Sequence, residues 1–216
     1  MFHLRLCFPL LMGTPKKRAA TLQEKFGFCD DDMKSPQHDR IMLWLDGHAE
    51  ELVREYFAMP REWPEERIAE VRAQADAFVK KRFSALGWQG LGEPPARKFQ
   101  IASKTWEKTI VARNGFTVGF ADMEVVVRFS SDLSFSCSEE PTLRTLPRIE
   151  WSVEINQEHV IFEAKPSIGS VGEVIRQIRL YQQHQPGHYV LVSPDDRFAD
   201  LLRSQDIQFV KYEEKD

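Results

Sequence analysis

The chain has 216 residues, 42% of them hydrophobic, with 15 Phe and 5 Trp, enough for one full-sized domain or one domain with a helical extension. A formal charge of −4 and a pI near 5.9 argue against a polycation that binds nucleic acid everywhere, although carboxylates gathered at one site leave room for a local basic groove. The three cysteines, Cys7, Cys29 and Cys137, stand far apart with no CxxC or Cys/His pairing, which argues against a zinc site, an iron–sulfur cluster and a disulfide scaffold and fits a reducing cytoplasm.

Residues 2–12 form an apolar run that Arg5 and Pro9 interrupt, with no small-residue cleavage site after it. A loose strand, or an upstream start with Met12 as the real beginning, is expected there rather than a signal sequence. No run reaches the length of a bilayer span. Residues 1–36 read as a partly irregular N-terminal segment, with a short helix from Thr21 to Phe26. Ser35-Pro36 is a helix-start signal. Ile41, Leu45, Ala49, Leu52, Val53 and Tyr56 then recur at helical spacing, predicting a helix from Gln37 to Phe57 with Gly47 as a soft spot. Pro60 and Pro64 close that segment. A second helix is expected from Glu65 to about Leu86, on the stripe Ile68, Val71, Ala75, Phe78, Val79 and Phe83. Two Gly and two Pro between Gly90 and Pro95 separate this helical layer, residues 37–95, from an α/β part, residues 96–216.

Beyond Arg97 the pattern turns to strand. Residues 107–113 and 116–129 flank Asn114-Gly115, the strongest short hairpin signal. Residues 130–147, rich in Ser, Asp and Glu, read as a long connection. Arg148 to Ile155 alternates apolar and polar, and Val160-Ile161-Phe162-Glu163-Ala164-Lys165-Pro166 is an apolar strand ending on two charges. With Asn156 to His159 as a turn, the two runs form an expected hairpin that sets Ser152 opposite Glu163 and Glu150 opposite Lys165. Glu163 and Lys165, at i and i+2, share a face. Three carboxylates, Glu150, Glu154 and Glu163, beside one ammonium suit a hard divalent cation such as Mg²⁺. A solvated face with a cross-strand ion pair of little energetic weight reads equally well from this hairpin alone. A helix over Ser170–Gln183, a buried strand over His188–Ser193, a helix over Phe198–Ser204 and a last strand over Ile207–Tyr212 complete an α/β fold with a mixed sheet flanked by helices.

Three motifs stand in order: Gly119-Phe120-Ala121-Asp122 in a strand, Glu163-Ala164-Lys165 ending another, and Gln177 with Tyr181 on the following helix. Together they resemble the PD-(D/E)XK nuclease superfamily, in its RecB-like branch, over roughly residues 105–212. The resemblance implies a restriction-endonuclease-like sheet and a Mg²⁺- or Mn²⁺-dependent deoxyribonuclease, endonuclease or exonuclease, that hydrolyses phosphodiester bonds with water. It implies that Asp122, Glu163 and the Ala164 carbonyl hold the metal and that Lys165 orients the nucleophile or offsets developing negative charge. Gln177 and Tyr181, one helical turn apart, would brace the site or touch the DNA backbone, and Arg176 and Arg179 are candidates for phosphate contact.

Asp122 stands 41 residues before Glu163, farther than the family's usual dozen or so. Either residues 130–147 are an insertion and Asp122 is the ligand, or Glu150 takes that role; both stay in the candidate metal set. Glu51, Glu70 and His48 are candidates to complete the site from the upstream helices. His38, His159, His184 and His188 show no metal-ligand spacing. Lys98, Lys104, Lys108 and Arg113 are placed to line a groove. DNA is the expected partner. A homodimer would supply two cuts but is not encoded visibly, and an ATP-driven partner protein would be a separate chain, because no Gly-rich phosphate loop is present. The competing readings are a nuclease-like fold that serves as a DNA-binding or structural subunit without chemistry, and a soluble interaction protein in which the motifs are accidental.

Overall fold

The computed structural model describes residues 35–83, 88–137 and 148–213. The elements run α1 (Pro36–Tyr56), α2 (Glu65–Phe83), β1 (Phe99–Val111), β2 (Thr117–Cys137), β3 (Ile149–Ala164), α3 (Val171–Gln182), β4 (His188–Ser193), α4 (Ala199–Ser204) and β5 (Gln208–Lys211). The strands form one five-stranded mixed sheet in the order β1-β2-β3-β4-β5, with helices flanking it, so the fold is α/β. β4 and β5 are parallel, with Val190 opposite Gln208 and Ser193 opposite Lys211. Parallel neighbours need a crossover, and α4 lies in it. The short helix expected over 21–26 and two of the cysteines, Cys7 and Cys29, lie outside the described residues.

Among the described residues, backbone contacts group the chain into two units. One takes the residues up to Leu45, Trp106–Met123 and those from Ile161 onward; the other takes Asp46–Thr105 and Glu124–Val160. In the first, α3 carries Val174, Ile178 and Tyr181 at the i, i+4, i+7 spacing of a single stripe, and all three are buried in a core that includes Ala121, Ile161 and Leu191. Each such burial contributes roughly 1.5–3 kcal/mol. In the second, Val71 and Ala75 of α2 pack with Leu91, and Trp88, Phe135 and Trp151 cover them.

Local signals explain most boundaries. Ser35 Oγ accepts the N–H of His38 at 3.1 Å, capping the start of α1, and Gly47 sits inside that helix without interrupting it. At the β1–β2 turn the Ala112 N–H donates to the Phe116 carbonyl and the Gly115 N–H to the Ala112 carbonyl, both at 2.8 Å. Gly115 has φ +81°, a conformation that needs no Cβ.

Two expectations fail. Residues 149–164 are not a hairpin closed at Asn156–His159; they are the single strand β3. The polar run contains no Gly or Pro, and its side chains find partners on β2: Arg128 Nε donates to Gln157 Oε1 at 2.9 Å, and His159 Nδ1 lies 2.9 Å from Glu124 Oε1. The pairing of Ser152 with Glu163 and of Glu150 with Lys165 goes with the hairpin. The connection expected to begin at residue 130 is strand as far as Cys137. Ser130 and Leu133 are buried, the Lys98 N–H donates to Ser130 Oγ at 2.9 Å, and Arg67 grips Asp132 at 3.0 and 2.9 Å. The Ser and Asp residues that suggested a loop are satisfied by side-chain pairing, and residues 138–147 lie outside the described ones.

Replacing Gly115 with Ala should therefore destabilise the protein by about 1–2 kcal/mol through the left-handed backbone alone, read from urea denaturation midpoints. Replacing the neighbouring, unconstrained Arg113 with Ala should change stability by no more than about 0.5 kcal/mol.

Candidate active site

β2 and β3 are adjacent, which brings Asp122 to the end of β3 despite the 41 residues between Asp122 and Glu163. Asp122 Oδ2 accepts the backbone N–H of Ala164 at 2.7 Å. The next amide, Lys165 N–H, donates to the Val192 carbonyl of β4 at 2.9 Å. A side chain from one neighbouring strand and a backbone carbonyl from the other thus fix the Glu-x-Lys segment from both sides.

Glu163 is buried, 3% exposed, and its Oε1 takes two donors. Lys165 Nζ stands 3.3 Å away, and Gln177 Nε2 donates at 2.6 Å. Since a carboxylate only accepts, the nitrogen end of the Gln177 amide must face it. The same nitrogen donates to Tyr181 Oη at 3.1 Å, and that hydroxyl donates to the Phe120 carbonyl at 3.1 Å. A Cβ at Gly119 would meet Tyr181 Oη at 2.5 Å and its Cε1 at 2.7 Å, so the glycine of Gly-x-x-Asp makes room for the tyrosine of Gln-x-x-x-Tyr. The three sequence motifs form one hydrogen-bonded unit.

Glu163 Oε2 is buried with no hydrogen-bond partner among the described residues. Burial and the neighbouring Asp122 charge, only partly offset by Lys165 and Gln177, push the Glu163 carboxyl up to about 7 from its ordinary 4.5. Burial likewise pushes the Tyr181 phenol far up, leaving it protonated. His38, at the start of α1, brings Nε2 to 3.3 Å from Asp122 Oδ1, a charge contact whose geometry falls short of a hydrogen bond. This contact raises the imidazole above its ordinary value of 6.5 in spite of burial.

The remaining candidates are dispersed. Glu150 sits on β3 thirteen residues before Glu163 and pairs with Arg148 at 2.6 Å. It is not brought to the centre, because the hairpin that would have carried it there does not form. Arg176 is exposed and 3.8 Å from Glu173. Arg179 is exposed and donates to Gln182 and to the Gln205 carbonyl, which ties α3 to the end of α4. Glu51, Glu70 and His48 fall in the other unit, where Glu70 is held by Arg67 at 2.7 Å. The residue that sequence reasoning missed is His38. Its signal was its place on the third residue of a capped helix, which no spacing rule links to a strand aspartate.

Among the described residues no group of three or more His, Cys, Asp or Glu side chains is arranged to hold a metal ion. The carboxylates of Asp122 and Glu163 nevertheless suit Mg²⁺, since that ion keeps several waters and takes only one or two protein carboxylates. The unpartnered Glu163 Oε2 is the acceptor left for a divalent cation. Compared with known proteins, the chain matches no family model, no curated protein and no solved structure. Among the described residues no helix is long and apolar enough to cross a membrane.

Two outcomes follow. Gly119→Ala should cost about 1–3 kcal/mol by overpacking against Tyr181, and a double-mutant cycle with Tyr181→Phe should show a coupling above about 0.5 kcal/mol; additive effects would mean the two do not touch. For Glu163, the folded state keeps a proton that the unfolded chain releases between about pH 4.5 and 7, so stability falls with rising pH across that window and stays lower above it. In EDTA, the stability difference between Glu163→Gln and wild type should therefore move in favour of the variant by about 1–3 kcal/mol from pH 5 to pH 8, measured by chemical denaturation at both pH values. No movement would show that the carboxyl titrates normally.

Proposed function

We propose that the protein is a divalent-metal-dependent nuclease of the PD-(D/E)XK type, acting on DNA in the cytoplasm on a restriction-endonuclease-like sheet. The observation that carries this reading is the meeting of Asp122 and Glu163 in one buried centre, with Glu163 Oε2 left unpaired. Asp122, Glu163 and the Ala164 carbonyl are the groups that would hold Mg²⁺ or Mn²⁺. A bound divalent ion supplies Lewis acidity at the phosphate and makes a better nucleophile of water.

The side chains divide the remaining work. Gln177 fixes the rotamer of Glu163 through Oε1, which leaves Oε2 for the cation. Tyr181, anchored on the Phe120 carbonyl, fixes Gln177 in turn and stays protonated throughout. Lys165 keeps a compact positive charge beside Glu163, suited to the negative charge that develops on the phosphoryl oxygens during water attack. His38 stands 3.3 Å from Asp122 Oδ1 while the Ala164 amide holds Oδ2, so that both carboxylate oxygens of Asp122 have a neighbour before any ion arrives.

A second reading has its own support. The burial of Glu163, 3% exposed and held by Lys165 and Gln177, favours a nuclease-like fold that binds DNA without cutting it. Plasmid and linear DNA incubated with Mg²⁺, Mn²⁺ or EDTA separate the two. The nuclease reading expects cutting with either metal, none in EDTA, and at least a 100-fold loss in Lys165→Ala. Intact DNA in every lane with binding retained would establish the non-catalytic reading instead.

A further inference from the structure

The unit formed by Asp46–Thr105 and Glu124–Val160 holds a cleft of about 620 Å³ whose lining includes Arg54, Arg61, Arg97 and Lys98 against one carboxylate, Glu50. Glu50 is already engaged by Arg54 at 3.1 Å, and the Arg54 guanidinium also lies 4.1 Å from the centre of the Phe99 ring. Three cations remain without a counter-charge in the cleft. Arg61 and Lys98 are exposed, and their side chains have no partner among the described residues. Arg97 donates to the Ser130 carbonyl at 3.2 Å and lies 4.8 Å over the Trp63 ring, yet its Nε is buried with no hydrogen-bond partner. A guanidinium N–H withdrawn from water without an acceptor is costly, so the Arg97 charge at the cleft wall is only partly compensated by the protein. In a chain of formal charge −4 this positive surplus is local, not compositional.

We propose that the cleft is a nucleic-acid subsite that takes the phosphodiester backbone, with Arg61 and Lys98 contacting phosphates and Arg97 supplying a fixed donor. The volume exceeds that of one phosphate, and the cations come from two chain segments, so a polyanion fits better than a single small anion. Phe99 and Trp63 are already covered by guanidinium groups, which leaves backbone contact rather than base stacking and makes the subsite indifferent to sequence. Of the four basic residues expected to line a groove, Lys98 does so, whereas Lys104 is held by Asp46 at 3.2 Å. The choice of DNA as occupant rests on the nuclease reading; the anion chemistry does not.

The test is fluorescence anisotropy of full-length protein with a fluorescein-labelled 20-base-pair duplex, in EDTA, across a salt series. Arg61→Ala/Lys98→Ala should raise Kd roughly tenfold at moderate salt and lower the slope of log Kd against log salt by about 1.8, two phosphate contacts at about 0.9 each. Glu50→Gln, which removes the opposing charge, should tighten binding several-fold. Unchanged affinity and slope in both variants would overturn the proposal, as would binding of inorganic pyrophosphate by a cleft that ignores DNA. If binding depends on Arg61 and Lys98 but wild type cuts no DNA with either metal, the subsite stands and the nuclease reading falls. If wild type cuts, Glu163→Gln does not, and the cleft variants bind as wild type does, the subsite falls and the nuclease reading stands.

Discussion

Two carboxylates share a place largely withdrawn from water. Asp122 and Glu163 are 7% and 3% exposed, and bringing like charges together in a low-dielectric interior is unfavourable unless each oxygen finds a donor or the pair shares a cation. The protein meets most of this demand with the Ala164 amide, Lys165, Gln177 and His38. Those contacts account for much of the architecture: β2 must lie beside β3, α3 must turn Gln177 and Tyr181 inward, and α1 must begin where His38 reaches Asp122. One oxygen, Glu163 Oε2, is left over, an acceptor that no donor satisfies among the described residues.

Much of this was legible in the sequence, because the relevant signals are local. Helical periodicity set α1 and α3 to within a residue or two, Asn114-Gly115 marked its turn, and the i, i+2 spacing of Glu163 and Lys165 placed both on one side of a strand end. The order of the three motifs pointed to side chains that the fold does bring together. What periodicity could not show was that Val160–Ala164 is buried on both faces, so that Glu163 sits in the interior and not on a solvated edge.

The misreadings share one cause. Asn156–His159 and residues 130–137 are polar, and polarity without periodicity reads as turn or loop. In the fold both belong to long neighbouring strands whose polar side chains pair across the ladder, Gln157 with Arg128 and His159 with Glu124. Cross-strand pairing is a property of two segments at once, invisible to a window that sees one. The false hairpin in turn promoted Glu150, and the same blindness hid His38, which meets its partner 84 positions further along the chain.

The contact between Gly119 and Tyr181 reaches beyond this one molecule. With a Cβ excluded at 119 by the phenol ring, the two positions are not independent letters: a lineage that put alanine or serine at the first would have to shrink the aromatic at the second. Losing the phenol would then free Gln177 and, through it, the rotamer of Glu163. Covariation between 119 and 181 would thus report on the integrity of a carboxylate that neither residue touches directly through its own backbone, and drift at either one would be an early mark of that buried centre loosening.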